Sequence, residues 1–162
     1  MSRAAGYSRV QIALHWVTVL LVALQFLLHD GISDAYDRAT ETGAYAITLP
    51  VALHAGGGML ILLLATWRVL LRKEHGVPPP PEGEPPLFGK LGHAAHLALY
   101  ALLFLLPVTG AAAWGGRMEG ASDAHETLKS LLLILIIAHV AAVAVHQLVW
   151  KTGLMRRMMA PK

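Results

Sequence analysis

The chain has 162 residues, one domain's worth, of which 56% are hydrophobic and 14% charged, against roughly 25% charged in an average soluble protein. Net charge is +3 and there are no cysteines, which excludes a disulfide framework, an iron–sulfur cluster, a thiolate zinc site and haem attached through a C-x-x-C-H motif. Mean hydropathy is +0.55, too high for the polar shell that a soluble chain of this size needs.

Taken in chain order, four stretches contain no Asp, Glu, Lys or Arg: Val10–His29, Thr42–Trp67, Leu91–Gly116 and Ser130–Trp150. A membrane helix needs about 20 mostly apolar residues, because roughly 30 Å of hydrocarbon is crossed at about 1.5 Å per residue. The pattern predicts spans over roughly 10–29, 46–70, 91–114 and 127–150. The expected fold class is all-α: an integral membrane four-helix bundle, a single domain over 1–162, with up-down topology and both termini cytoplasmic. Arg3 and Arg9 precede the first span, as they would in a signal peptide. Its apolar run exceeds the roughly 7–15 residues of a signal core and carries His15 and Trp16, so it reads as a mature helix.

The segment near Asp30–Gly43 is expected to be a short polar outer loop. In the second span Gly56, Gly57 and Gly58 follow His54; glycines here let a flat group or a neighbouring helix approach the backbone. The prolines at 78–81 and 85–86 favour extended polyproline II, a stiff spacer rather than a signalling-domain ligand. Pro107 and Gly110 fall late in the third span, where they are expected to kink or end the helix. Trp16, Trp67, Trp114 and Trp150 lie near span ends and read as interfacial anchors.

With four spans, the termini and the middle loop share one side. That side holds ten of the thirteen basic residues, among them Arg3, Arg9, Arg72, Lys90, Arg157 and Lys162. The other side holds Arg38, Arg117 and Lys129 with seven of the ten acids. The positive-inside rule places the basic side in the cytoplasm. The basic ends are therefore topology signals, and nucleic acid is not an expected partner.

An ionisable side chain inside a membrane is costly, so it marks function by default. His15, His54, His125, His139 and His146 stand out. His125 to His139 is a step of 14 residues, about 40° short of four helical turns and about 21 Å along the axis. His146, seven residues further, stays on the same stripe. Depth then suggests two cross-helix pairs: His54 with His125 in the outer half, and His15 with His139 in the inner half. His146 competes for the inner pair on angle, and His139 is the deeper choice. Two imidazoles on facing helices can hold both axial positions of a haem iron, giving an electron carrier without an open coordination site. A zinc site lacks its usual ligand set here, and a helix–helix hydrogen bond is the alternative for any single histidine.

At these residues the chain resembles the bacterial cytochrome b561 family, diheme b-type cytochromes related to the cytochrome b subunit of nickel–iron hydrogenases. The run from Tyr7 through Ser8, Arg9 and Gln11 to His15 and Trp16 looks like the family's opening motif. The run Trp67–Arg72 with the following prolines resembles the end of its second helix. The third is matched by His93 and His96 through Tyr100, Pro107 and Gly110, and the fourth by His125, Glu126, Thr127 and Leu128 with His139, His146 and Trp150. The resemblance implies two haem b groups with His15, His54, His125 and His139 as axial ligands, and superoxide:ubiquinone oxidoreduction as the activity of some members. The outer loops are short for the family.

The expected function is a membrane diheme b-type cytochrome of the bacterial inner membrane. It would carry electrons between the quinone pool, ubiquinone in particular, and an outer-face small molecule or redox partner protein. Arg9 and Arg68 are candidate propionate partners, since a guanidinium matches a carboxylate with a bidentate fork; snorkelling to lipid headgroups is the other reading. Arg117 and Lys129 are candidates for drawing in an anion at the outer face, or simply loop charges. His146 is the candidate quinone contact or alternative ligand, or a packing residue. His93 and His96 read as headgroup-level histidines, and His29 and His75 as loop residues. No catalytic residue is assigned. Two alternatives remain: a haem b subunit of a larger membrane oxidoreductase complex, and a cofactor-free, histidine-lined transporter.

Overall fold

The computed structural model describes residues 6–81 and 84–161. Arg3 and Lys162, counted above among the inner basic residues, lie outside the described residues. Five α-helices are present among the described residues: α1 (Arg9–Leu27), α2 (His29–Thr42), α3 (Leu49–His75), α4 (Pro86–Gly115) and α5 (Glu119–Leu148). All but α2 are long and apolar enough to cross a membrane. The four-helix membrane bundle is therefore borne out. The end that carries the chain termini is called the inner end below.

Local chemistry sets the helix ends. The Ser8 hydroxyl accepts from the Gln11 backbone at 3.2 Å, while the Gln11 side chain accepts from the Ser8 N–H at 2.9 Å. This reciprocal cap explains why the run from Ser8 to Gln11 starts α1. Pro50 and Pro86 occupy first-turn positions of α3 and α4, where a missing N–H costs nothing. Gly43, at φ 72°, ends α2 in the left-handed conformation, which glycine adopts without strain.

Two expectations are corrected. The polar outer segment is a helix, α2, not a loop. Its Ala35 and Ala39, four residues apart, are buried, and small side chains at that spacing give a docking stripe against α3. A search for apolar spans passes over such a helix. Of the two expectations for Pro107 and Gly110, the helix end is the one overturned: α4 runs through Pro107 to Gly115. The Thr109 hydroxyl lies 2.9 Å from the Leu105 carbonyl and 3.1 Å from that of Leu106, supporting the backbone beside the proline.

The helices pack in the order α1–α3–α4–α5, with α2 on α3. The core is Val22 of α1, Ile61 and Ala65 of α3, Leu102 and Leu103 of α4, and Leu132 of α5. The fourth seam, between α5 and the α1–α3 pair, carries no comparable packing among the described residues. Away from the core, α5 exposes Ile134, Ile137 and Val140 at 62%, 61% and 60%. Water would penalise such a stripe, whereas lipid accepts it. After α5 a short 3-10 helix, Leu154–Met158, folds back. Trp16 Nε1 donates to the Met158 carbonyl at 2.8 Å, and Arg157 donates to the Pro79 carbonyl at 2.7 Å.

Candidate functional site

At the outer end, His54 of α3 faces His125 of α5 with ring centroids 6.1 Å apart. The sequence missed what holds His125. Its Nδ1 lies 2.9 Å from the Leu106 carbonyl and 3.1 Å from the Thr109 hydroxyl. A carbonyl only accepts, so Nδ1 carries the proton and Nε2 keeps its lone pair. Gly110 makes this possible: a Cβ there would stand 3.1 Å from His125 Cε1. On the other ring, His54 Nδ1 is buried without a hydrogen-bond partner.

The glycine run behaves unevenly. Gly57 takes the Gln25 side chain of α1, whose Nε2 would lie 2.1 Å from a Cβ, while Gly56 and Gly58 face open space. Above the histidine pair, Lys129 donates to His29 Nε2 at 3.0 Å and pairs with Glu126. Tyr36, Tyr45 and Trp114 cluster with centroids 5.4–6.5 Å apart. The Arg117 guanidinium lies 4.8 Å from the Tyr45 ring centre, so its charge is spent partly on an aromatic face.

At the inner end, Arg68 of α3 donates to His15 Nδ1 at 3.1 Å and sits 5.5 Å from the Tyr100 ring centre. Arg68, His139 and His96 all lie within electrostatic reach of His15. His139 has His96 of α4 against it, with centroids 5.3 Å apart. His96 Nδ1 lies 2.7 Å from the Gly92 carbonyl, which again leaves Nε2 with the lone pair. His96 was read from the sequence as a headgroup-level residue. The structure places it half-buried beside His139, because three residues along α4 from exposed His93 the helix has turned inward. Arg9 is exposed at the start of α1. Burial pushes the Tyr7 phenol above its ordinary value of 10.0, with Arg72, Arg157 and Arg68 opposing.

His146 is the buried polar residue of this end. Its Nδ1 meets the Thr152 hydroxyl at 3.1 Å, and its Nε2 faces Glu84 Oε1 at 3.6 Å. Glu84 and Thr152 escaped the sequence reading because each lies in a connecting segment. Among the described residues no three His, Cys, Asp or Glu side chains converge as a metal cluster. The histidines meet in twos.

Residues 6–161 match the family description prokaryotic cytochrome b561. The chain belongs to that family. It is 32% identical over 162 residues to cytochrome b562 of Cereibacter sphaeroides, with each chain covered in full. It is 29% identical over 177 residues to a protein of Yersinia pestis named probable superoxide oxidase CybB, covering 96% of this chain and 97% of that one. Cytochrome b561 homolog 1 of Escherichia coli K12 is 25% identical over 178 residues, covering 94% and 96%. As a prokaryotic b561 the chain is a multi-pass bacterial membrane protein that transfers electrons through haem b.

The residues fit that cofactor. The rings of His54 and His125 face each other across α3 and α5 with centroids 6.1 Å apart, and imidazole is a donor type that holds haem iron. Each ring of the pair also has a nitrogen without a protein partner.

Proposed function

We propose that this b561 chain is a two-haem electron carrier linking the quinone pool at the inner end with a small molecule or redox partner at the outer end. His54 and His125 would hold the outer iron, and His15 with His139 the inner one. The observation that carries the reading is the His54–His125 pair, with His125 held by Leu106 and Thr109 in the tautomer that leaves Nε2 free. Haem supplies a one-electron iron couple, which the surrounding hydrogen bonds and the dry bundle tune.

The inner pair asks one thing of Arg68. An imidazole bound to iron through Nε2 carries its proton on Nδ1, and a guanidinium can only donate. The observed Arg68–His15 contact and ligation through Nε2 are therefore exclusive. On ligation Arg68 must turn to another acceptor, and a haem propionate is the acceptor its charge and fork favour. Arg9, exposed at the inner surface, is the weaker candidate for the same role.

A second inner assignment has an observation behind it: His96, not His15, lies 5.3 Å from His139 with Nε2 uncommitted. Haem counting decides. The first assignment expects His96→Ala to keep two haems per chain and His15→Ala to keep one; the reverse result establishes the second.

The Yersinia pestis relative's name, probable superoxide oxidase CybB, supports superoxide as the reductant; the proposal sets that reaction at the outer face, with ubiquinone as the acceptor. Lys129 and Arg117 are the cations placed to attract an anion, each already engaged by Glu126 and Tyr45 respectively. Superoxide-driven reduction of the haem-loaded protein tests this. Reduction that persists when Lys129→Ala and Arg117→Ala are combined removes those cations from the scheme. The cytoplasmic placement of both termini, the inner-membrane location and a subunit role in a larger complex belong to the same proposal; co-purification of a partner chain would favour the last.

A further inference from the structure

The contact between Glu84 and His146 takes no part in the histidine pairs described above. We infer that this buried carboxylate–imidazole pair is the proton acceptor for quinol oxidation at the inner end, an inference that rests on the quinone function proposed above.

The orientation of the imidazole comes from Thr152. Its hydroxyl donates to the His146 carbonyl at 3.3 Å, so its oxygen accepts from His146 Nδ1–H at 3.1 Å. The neutral ring therefore keeps its lone pair on Nε2. That lone pair points at Glu84 Oε1 from 3.6 Å, with the two side chains only 9% and 8% exposed. At that distance there is no hydrogen bond. Two acceptors held face to face out of water repel, and one proton between them turns repulsion into an imidazolium–carboxylate pair. The site is built to take up a single proton.

The pair lies between the inner surface and the deeper histidine of α5. Beyond Glu84 lies an open cleft of about 420 Å³ at the inner surface, lined by Pro80, Glu84, Pro86, Gly89, Lys90 and His93. Glu84, its side chain only 8% exposed, therefore stands between the cleft and His146. In the other direction α5 carries His146 two turns from His139, about 10.5 Å along the axis. Of the charged and titratable groups nearby, Lys90 and His93 of α4 line the cleft with Glu84, Arg72 of α3 meets His93 at 3.2 Å, and Arg157 of the 3-10 helix donates to the Pro79 carbonyl. Trp150 closes the ring edge-on at 4.7 Å.

The stoichiometry balances with this one-proton site. A quinol loses two electrons and two protons to become a quinone. Haem held by the histidines would supply the one-electron acceptor for each of the quinol's electrons. The first proton passes from a quinol head in the cleft to Glu84, is shared with His146 Nε2 and leaves through the cleft to cytoplasmic water, and the second follows the same route. Quinone reduction reverses each step.

The test uses the haem-loaded full chain in lipid nanodiscs, with a short-chain ubiquinol as donor and initial haem reduction followed optically across a pH series. Glu84→Gln keeps the haem content and the dithionite-reduced spectrum, but slows quinol-driven reduction by about a hundredfold at alkaline pH. The two rates converge as the pH falls, because a carboxyl group and its amide then differ less as proton acceptors. Glu84→Asp restores most of the rate. A wild-type to variant ratio that is the same at every pH, whether one or larger, overturns the inference, because a packing role gives no pH dependence. Should Glu84→Gln fail to assemble, Thr152→Val, which releases the Nδ1 anchor, must show the same pH-dependent ratio, and a flat ratio overturns the inference equally. A wild-type chain that accepts no electrons from ubiquinol at any pH refutes the quinone reading and this inference together.

Discussion

A single hydrogen atom at position 110 decides whether the His125 ring can lie where it does. A Cβ at Gly110 would press on His125 at 3.1 Å, whereas Gly56 faces open space. Gly110→Ala is expected to displace the ring from Leu106 and Thr109, shifting the outer haem's absorbance and potential; Gly56→Ala should leave both spectra unchanged. Difference spectra of the two variants check the contrast. In the same way His54→Ala or His125→Ala should remove one haem and leave the other, which a haem assay per chain reads directly. These residues differ in how visible they were. The histidines announce themselves by cost, since ionisable groups are rare in spans. The partners Leu106, Thr109, Glu84 and Thr152 do not, because a backbone carbonyl, a small hydroxyl or a linker carboxylate meets a ring only when a distant segment delivers that ring to it.

Among the elements, the C-terminal 3-10 helix and α2 depend most on contacts made far along the chain. The Trp16 indole ties Met158 to α1 across 142 positions. Trp16→Phe removes that bond at a cost of about 0.5–1 kcal/mol, since it is exposed, and should quicken tryptic cutting at Arg156 and Arg157 without changing haem content. Lys151, at φ 52°, sits in the left-handed region just after α5. Lys151→Gly should relieve about 1 kcal/mol of strain there, seen as a higher melting temperature. Helix α2 is polar, with its buried residues confined to Ala35 and Ala39, so its helicity could be read only from the docking stripe that α3 reveals.

At the scale of the molecule, the four apolar helices close three seams tightly and leave the fourth to the histidines. Lipid supplies no hydrophobic drive between helices, so a seam without small-residue packing needs something else to bridge it, and facing imidazoles on α3 and α5 are positioned for that. Removal of haem should therefore loosen the bundle: the apo chain is expected to melt at lower temperature and exchange amide hydrogens faster in α5 than the loaded chain. Topology is testable without background, because the chain has no cysteine. A thiol introduced as Asp37→Cys should react with an impermeant reagent from outside intact cells, and one at Lys151→Cys only after permeabilisation.

Hydropathy was enough to establish four spans and their order, because the cost of burying charge in hydrocarbon acts on each segment separately, while charge placement carries the proposed orientation. The 14-residue step from His125 to His139 likewise follows from helix geometry alone. Which ring meets which was a matter for the assembled bundle. His54 faces His125 as helical depth implied, yet His139 has His96 against it, His15 is held by Arg68, and His146 turns to Glu84. Rotation of each helix about its own axis, and the return of the proline linker and the tail onto the inner end, are set by packing between distant segments, and no local stretch of sequence encodes them.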